Sequence, residues 1–97
     1  MPRRELENAL EERCVKRIEG LGGMALKLAI PGVRGFPDRS ILMPYRRIWF
    51  VEFKRIKSGR ISAQQLAWQS ALERLDFPVY FIDTDAAFEE ALEQETA

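Results

Sequence analysis

Three side chains in the middle of this 97-residue chain are spaced for chemistry on an anion. Asp38 follows a proline and opens one apolar stretch, while Glu52 and Lys54 close another, Ile-Trp-Phe-Val-Glu-Phe-Lys. In a strand alternate side chains share a face, so Ile48, Phe50, Glu52 and Lys54 point one way and Trp49, Val51 and Phe53 the other. Both faces are apolar until the end. That marks a central strand covered on both sides, in which Glu52 and Lys54 are costly unless paired. If the two stretches form an antiparallel hairpin, the start of one lies beside the end of the other, and Asp38 meets Glu52 and Lys54 at one edge of a sheet. Two carboxylates at close range repel unless a proton or a cation joins them. Mg²⁺ or Mn²⁺ suits such a pair, because it takes carboxylate oxygens and keeps positions open for a phosphate oxygen. Lys54 beside it could orient or deprotonate a water and offset developing negative charge. The competing reading is a buried ion pair at a strand end, with Pro37-Asp38 as a surface turn.

The absences narrow the chemistry. With no histidine and one cysteine, His-dependent triads, Cys/His zinc sites and Cys-His proteases are excluded. Cys14 lies in a helical pattern and reads as a small buried hydrophobe. No apolar run is long enough to span a bilayer, and the charged N-terminal stretch does not read as a secretory signal, so the expectation is a cytoplasmic protein with no membrane partner. The net charge of zero conceals segregation: residues 24–72 carry nine basic side chains against two acids, Asp38 and Glu52, and residues 73–97 carry one base against eight acids. This predicts a polyanion-binding face with an acidic helix elsewhere; the alternative is an acidic tail that neutralises the middle.

The elements that must position these residues read as αβββαβα, an α/β fold in one domain over 1–97. A stripe of Leu6, Leu10, Cys14, Ile18 and Leu21 predicts a helix over 4–20, ended by Gly20 and Gly22-Gly23. Strands are predicted over 24–30, 38–43 and 47–54, the last two joined around Pro44-Tyr45-Arg46. Ser62 is the expected N-cap of a helix reaching about Asp76, with a stripe of Trp68, Ala71, Leu72 and Leu75. A short strand follows Pro78, and Thr84 or Asp85 caps a final acidic helix.

The order of Gly22-Gly23, "PGVRGFPDRSIL", "FVEFK" and "SAQQLAW" resembles the VRR-NUC domain of the PD-(D/E)XK nuclease superfamily over nearly the whole chain. The resemblance implies a restriction-endonuclease-like core of order αβββαβ plus a C-terminal helix, with a mixed central sheet flanked by helices. It also implies Mg²⁺- or Mn²⁺-dependent phosphodiester hydrolysis with no organic cofactor. The small stand-alone members found in viruses and bacteria resemble homodimeric resolvases of branched DNA such as four-way junctions, which places the chain in a bacterial or virus-infected cell.

Carried over residue by residue, Asp38 and Glu52 match the metal-binding carboxylates, Lys54 the family lysine, and the Phe53 carbonyl a further metal ligand. The helix-1 glutamate matches Glu11, directly or through a water, with Glu7 in reserve; Glu12 faces solvent on the helical wheel. Helical phase does not separate Gln64 from Gln65, and the resemblance selects Gln65, as a site-organising donor or a phosphate contact. Arg34, Arg39, Arg55, Lys57 and Arg60 are candidate nucleic-acid contacts. Phe36, Trp49, Phe53 and Trp68 are candidates for the dimer surface, although core packing competes for each.

Overall fold

The computed structural model of the protein describes residues 3–54 and 60–97, with side chains from Asn8 onward. Helix α1 (Arg3–Gly20) buries Leu10, Cys14 and Ile18, the expected stripe as far as side chains are described. Two glycines end it for different reasons. Gly22 takes a left-handed φ of +84°, which lets the Gly22 and Gly23 N–H groups donate to the Glu19 and Ile18 carbonyls. At Gly23 a Cβ would stand 2.8 Å from the Leu42 carbonyl oxygen, so the chain turns flat against the sheet. Leu21, beyond the helix, leaves the stripe and is exposed.

Strands β1 (Met24–Leu26), β2 (Arg39–Met43) and β3 (Arg47–Phe53) form an antiparallel meander. After β3 the chain crosses through α2 (Ala63–Arg74) to β4 (Val79–Ile82), which pairs parallel to β3. The sheet order is therefore β1-β2-β3-β4, and helix α3 (Asp85–Thr96) completes the chain. Parallel pairing of β3 with β4 requires such a crossover.

The first strand is shorter than its sequence predicts. Pairing stops at Leu26 opposite Ser40, and residues 27–30 run on without strand structure and are exposed. β1 lies at the sheet edge, where an apolar, β-prone sequence has one partner, and here the partner's next residue, Arg39, turns its guanidinium onto the Ala25 carbonyl. Helix α2 likewise ends at Arg74, leaving Leu75 exposed while Leu72 is buried.

The central strand is covered on both faces. Trp49 and Val51 sit in the main core with Ile18, Ile41, Ile82, Phe88 and Leu92, under α1 and α3. Trp49 is fully buried, so it belongs to the core and not to a dimer surface. Phe50 turns the other way, into a smaller cluster with Leu72 and Val79 beneath α2. Each fully buried large side chain contributes on the order of 1.5–3 kcal/mol. No helix among the described residues is long and apolar enough to cross a membrane.

Candidate active site

The hairpin register sets Arg39 opposite Val51, which carries Asp38 to the level of Glu52 at the end of the sheet. There each acid's side chain accepts from a main-chain N–H at or next to the other acid. The Asp38 N–H donates to Glu52 Oε1 at 3.1 Å, and the Phe53 N–H donates to Asp38 Oδ2 at 2.9 Å. Glu52 is buried at 7% exposure. Lys54, two residues along the same face, holds its Nζ 4.0 Å from Glu52 Oε2 and donates to the Arg60 carbonyl at 3.0 Å. The strand-end juxtaposition of Asp38, Glu52 and Lys54 expected from alternation is present.

Charge at this corner is held against its preference. Burial, and secondarily the neighbouring Asp38 carboxylate, push the Glu52 carboxyl up to about 7. Burial also raises Asp38, opposed by the hydrogen bond from Phe53 and reinforced by Glu11. Lys27 and then Lys54 on Asp38, and Lys54 on Glu52, act in the other direction without offsetting the burial. A proton or a cation is therefore favoured between them.

Gln65 joins the site through a helix cap. Ser62 caps α2, its Oγ accepting from the Gln65 N–H at 3.1 Å, while the Ser62 N–H donates to Gln65 Oε1 at 2.8 Å. With its oxygen so occupied, the amide turns Nε2 outward, and Nε2 donates to Glu52 Oε2 at 2.6 Å. One side chain thus makes both the helix cap and the bond to Glu52. Gln64 is exposed and takes no part in it.

The loop before Asp38 fixes where α2 begins, which the sequence reasoning missed. Gly35 has a φ of +83°, and a Cβ there would stand 2.6 Å from the Gln64 main-chain carbon and 2.8 Å from the Gln65 nitrogen. Trp68 donates its indole N–H to the Arg34 carbonyl at 3.1 Å, and Phe36 stacks edge-on against both Trp68 and Phe50. Asp38 and Gln65 thus reach Glu52 from two segments clamped to each other. The signal available was the glycine two residues before Pro37, since a glycine in a turn marks left-handed φ or close approach.

Glu11 is engaged by Arg39. Its Oε2 accepts from Arg39 Nε at 2.6 Å, and both side chains are mostly buried. Arg39, expected as a nucleic-acid contact, instead ties α1 to the sheet through Glu11 and the Ala25 carbonyl. Among the described residues no three acidic, Cys or His side chains converge as a ready-made metal cage. Arg34 and Arg60 are exposed, each with its carbonyl held by a site-side residue, Trp68 and Lys54. Arg55, Lys57 and the side chain of Glu7 lie outside the described residues.

The αβββαβ order, with two interlocked carboxylates at the open end of a β-hairpin, is the restriction-endonuclease-like α/β arrangement that the sequence resemblance implies. Comparison with solved structures gives the more particular likeness. The chain matches a "VRR_NUC domain" with a TM-score of 0.82 and 26% identity, over 90% of this chain and 94% of that one. A stretch of 48 residues is 42% identical to "Putative nuclease p44" of Acyrthosiphon pisum secondary endosymbiont phage 1, covering 50% of this chain and 52% of the relative. The chain thus spans about half the length of the curated relative it matches. No family model matches the chain. The VRR-NUC resemblance read in the sequence agrees with the fold.

Proposed function

We propose that the protein is a divalent-metal-dependent endonuclease that hydrolyses phosphodiester bonds in structured DNA, working as a homodimer in the manner of a four-way-junction resolvase. One observation carries the reading: two carboxylates are desolvated side by side, at a corner where, among the described residues, the one ion pair to either acid is the 4.0 Å approach of Lys54 to Glu52. A structural ion pair would place opposite charges in closer contact, whereas Asp38 and Glu52 accept hydrogen bonds and leave lone pairs unused.

The donor set fits Mg²⁺ or Mn²⁺, which take hard oxygen ligands. Asp38, Glu52 and the Phe53 carbonyl would hold the ion; Glu11 would join, directly or through a water, on release from Arg39. When bound, the ion polarises the phosphate and acidifies a water. The chain's own groups do the rest. Lys54 steadies or deprotonates the attacking water and faces the developing charge, and Gln65 keeps Glu52 from rotating away. Arg34, Arg60, Arg55 and Lys57 are candidate phosphate contacts along the strand. Two sites related by a two-fold axis would make the paired cuts that a junction requires.

The test is cleavage of matched four-way-junction, flap, nicked, single-stranded and duplex DNA by wild type and Lys54→Ala, in Mg²⁺, Mn²⁺ or EDTA, with sedimentation for the dimer. Metal-dependent junction cutting that falls about 10²–10⁴-fold in Lys54→Ala is expected. Tight binding without cutting under any metal would make the chain a non-cleaving nucleic-acid-binding module. Sedimentation as a monomer with and without junction DNA would remove the dimer.

A further inference from the structure

The connection from β2 to β3 lies at the opposite end of the hairpin from Asp38 and Glu52. Two of its three residues, Tyr45 and Arg46, adopt left-handed φ, at 66° and 64°. For bulky L-residues this conformation is strained, and such turns are ordinarily made by asparagine or glycine. The fold does not repay the strain. Tyr45 is 89% exposed and Arg46 is exposed beside it, and among the described residues Arg46 makes no ion pair. The neighbouring cations differ: Arg17 is bonded to Glu89, and Arg47 lines a groove of about 460 Å³ shared with Glu89 and Glu93. Those two face acids; Tyr45 also lines this groove but stays almost wholly exposed, and with the exposed Arg46 it forms an aromatic-guanidinium tip.

We propose that this tip is a second nucleic-acid contact, in which Tyr45 stacks on an unpaired base and Arg46 binds the adjoining phosphate. An exposed ring accepts any base face, and a cation beside it supplies the phosphate contact. Arg46 lies six positions before Glu52 along the chain, a span of about 20 Å at the strand rise. That equals roughly six nucleotides of stacked strand. The substrate class follows: a strand with an unpaired base about six nucleotides from the scissile phosphate, as at a branch or flap. The choice of nucleic acid rests on the nuclease reading, and the contact itself is measured without cutting.

The test replaces the tip with the residues its backbone favours. Tyr45→Asn/Arg46→Gly should fold with an unchanged or higher Tm, and circular dichroism checks this. Binding of labelled single strands of four, eight and twelve nucleotides is measured in EDTA by fluorescence anisotropy across a salt series. Expected is about a tenfold loss of affinity for the two longer strands, little change for the shortest, and a salt slope shallower by about one. Equal affinities and slopes for variant and wild type would overturn the proposal and leave the tip to a protein partner. The two readings fail separately. Tip-dependent binding without cleavage keeps the contact and removes the nuclease, and cleavage with tip-independent binding does the reverse.

Discussion

Two acidic positions in this molecule behave oppositely. Asp85, at the start of α3, accepts two hydrogen bonds from the Arg13 guanidinium, at 3.0 and 2.9 Å, and these hold its carboxyl below the ordinary range. Glu52, at the end of β3, is pushed up to about 7 by burial and by Asp38. Asp85 is on the surface over the thick side of the fold, where α1 and α3 cover a core of eleven buried residues. Glu52 is on the thin side, where α2 covers a cluster of three buried residues and a fringe of half-buried aromatics. The difference teaches how a short chain divides its work. One face carries the burial that stabilises the fold, and its charges are neutralised in pairs in water. The other gives up core volume to hold like charges together out of water.

Breaking the thick side should have the largest effect on stability. Trp49→Ala removes a fully buried indole and should cost about 3–5 kcal/mol. Leu72→Ala, its counterpart under α2, should fall at the low end of about 2–5 kcal/mol. Denaturant titration of both variants checks the order; equal losses would erase the contrast between the two faces.

Disturbing the clamp should cost less stability but more chemistry. Gly35→Ala forces a Cβ against the first turn of α2 and a side chain onto left-handed φ, at about 1–3 kcal/mol. Because that turn carries Gln65, loss of metal affinity by calorimetry should exceed the loss in Trp68→Phe, which removes only the bond to the Arg34 carbonyl.

The smallest effect sharpens the electrostatic contrast. Glu52 has a raised pKa in the folded state, so between about 4.5 and about 7 the folded protein binds more protons than the unfolded chain. Metal-free stability should therefore be greatest at the acid end of that window and fall as pH rises through it, by on the order of 2 kcal/mol. Thermal melts from pH 4.5 to 8 in EDTA should show this decline. Glu52→Gln should flatten it, and Mg²⁺ should restore wild-type stability at the alkaline end by replacing the proton. A decline unchanged in Glu52→Gln would move its origin to another group.

Much of this was legible in the chain of letters because it depends on local rules. The two-residue period placed Glu52 and Lys54 on one face, the 3.6-residue period buried Leu10, Cys14 and Ile18, and Ser62 and Thr84 cap their helices as residue type predicts. The motif order was enough to point to the VRR-NUC fold, which the structural likeness supports.

What the tertiary structure alone decided are the contacts between segments distant in sequence, which carry no local signature. Arg39 is bound to Glu11 across 28 positions and Trp68 to Arg34 across 34. β1 ends early because an edge strand follows its partner and not its own propensity. Helical phase did not separate Gln65 from Gln64; the resemblance selected Gln65, and the capping box shows how its amide is fixed on Glu52. The sequence by itself determined which residue types and periods could build the site. Which carboxylate is paired, which is desolvated and which amide faces it depends on distance and burial, and those exist only once the chain is folded.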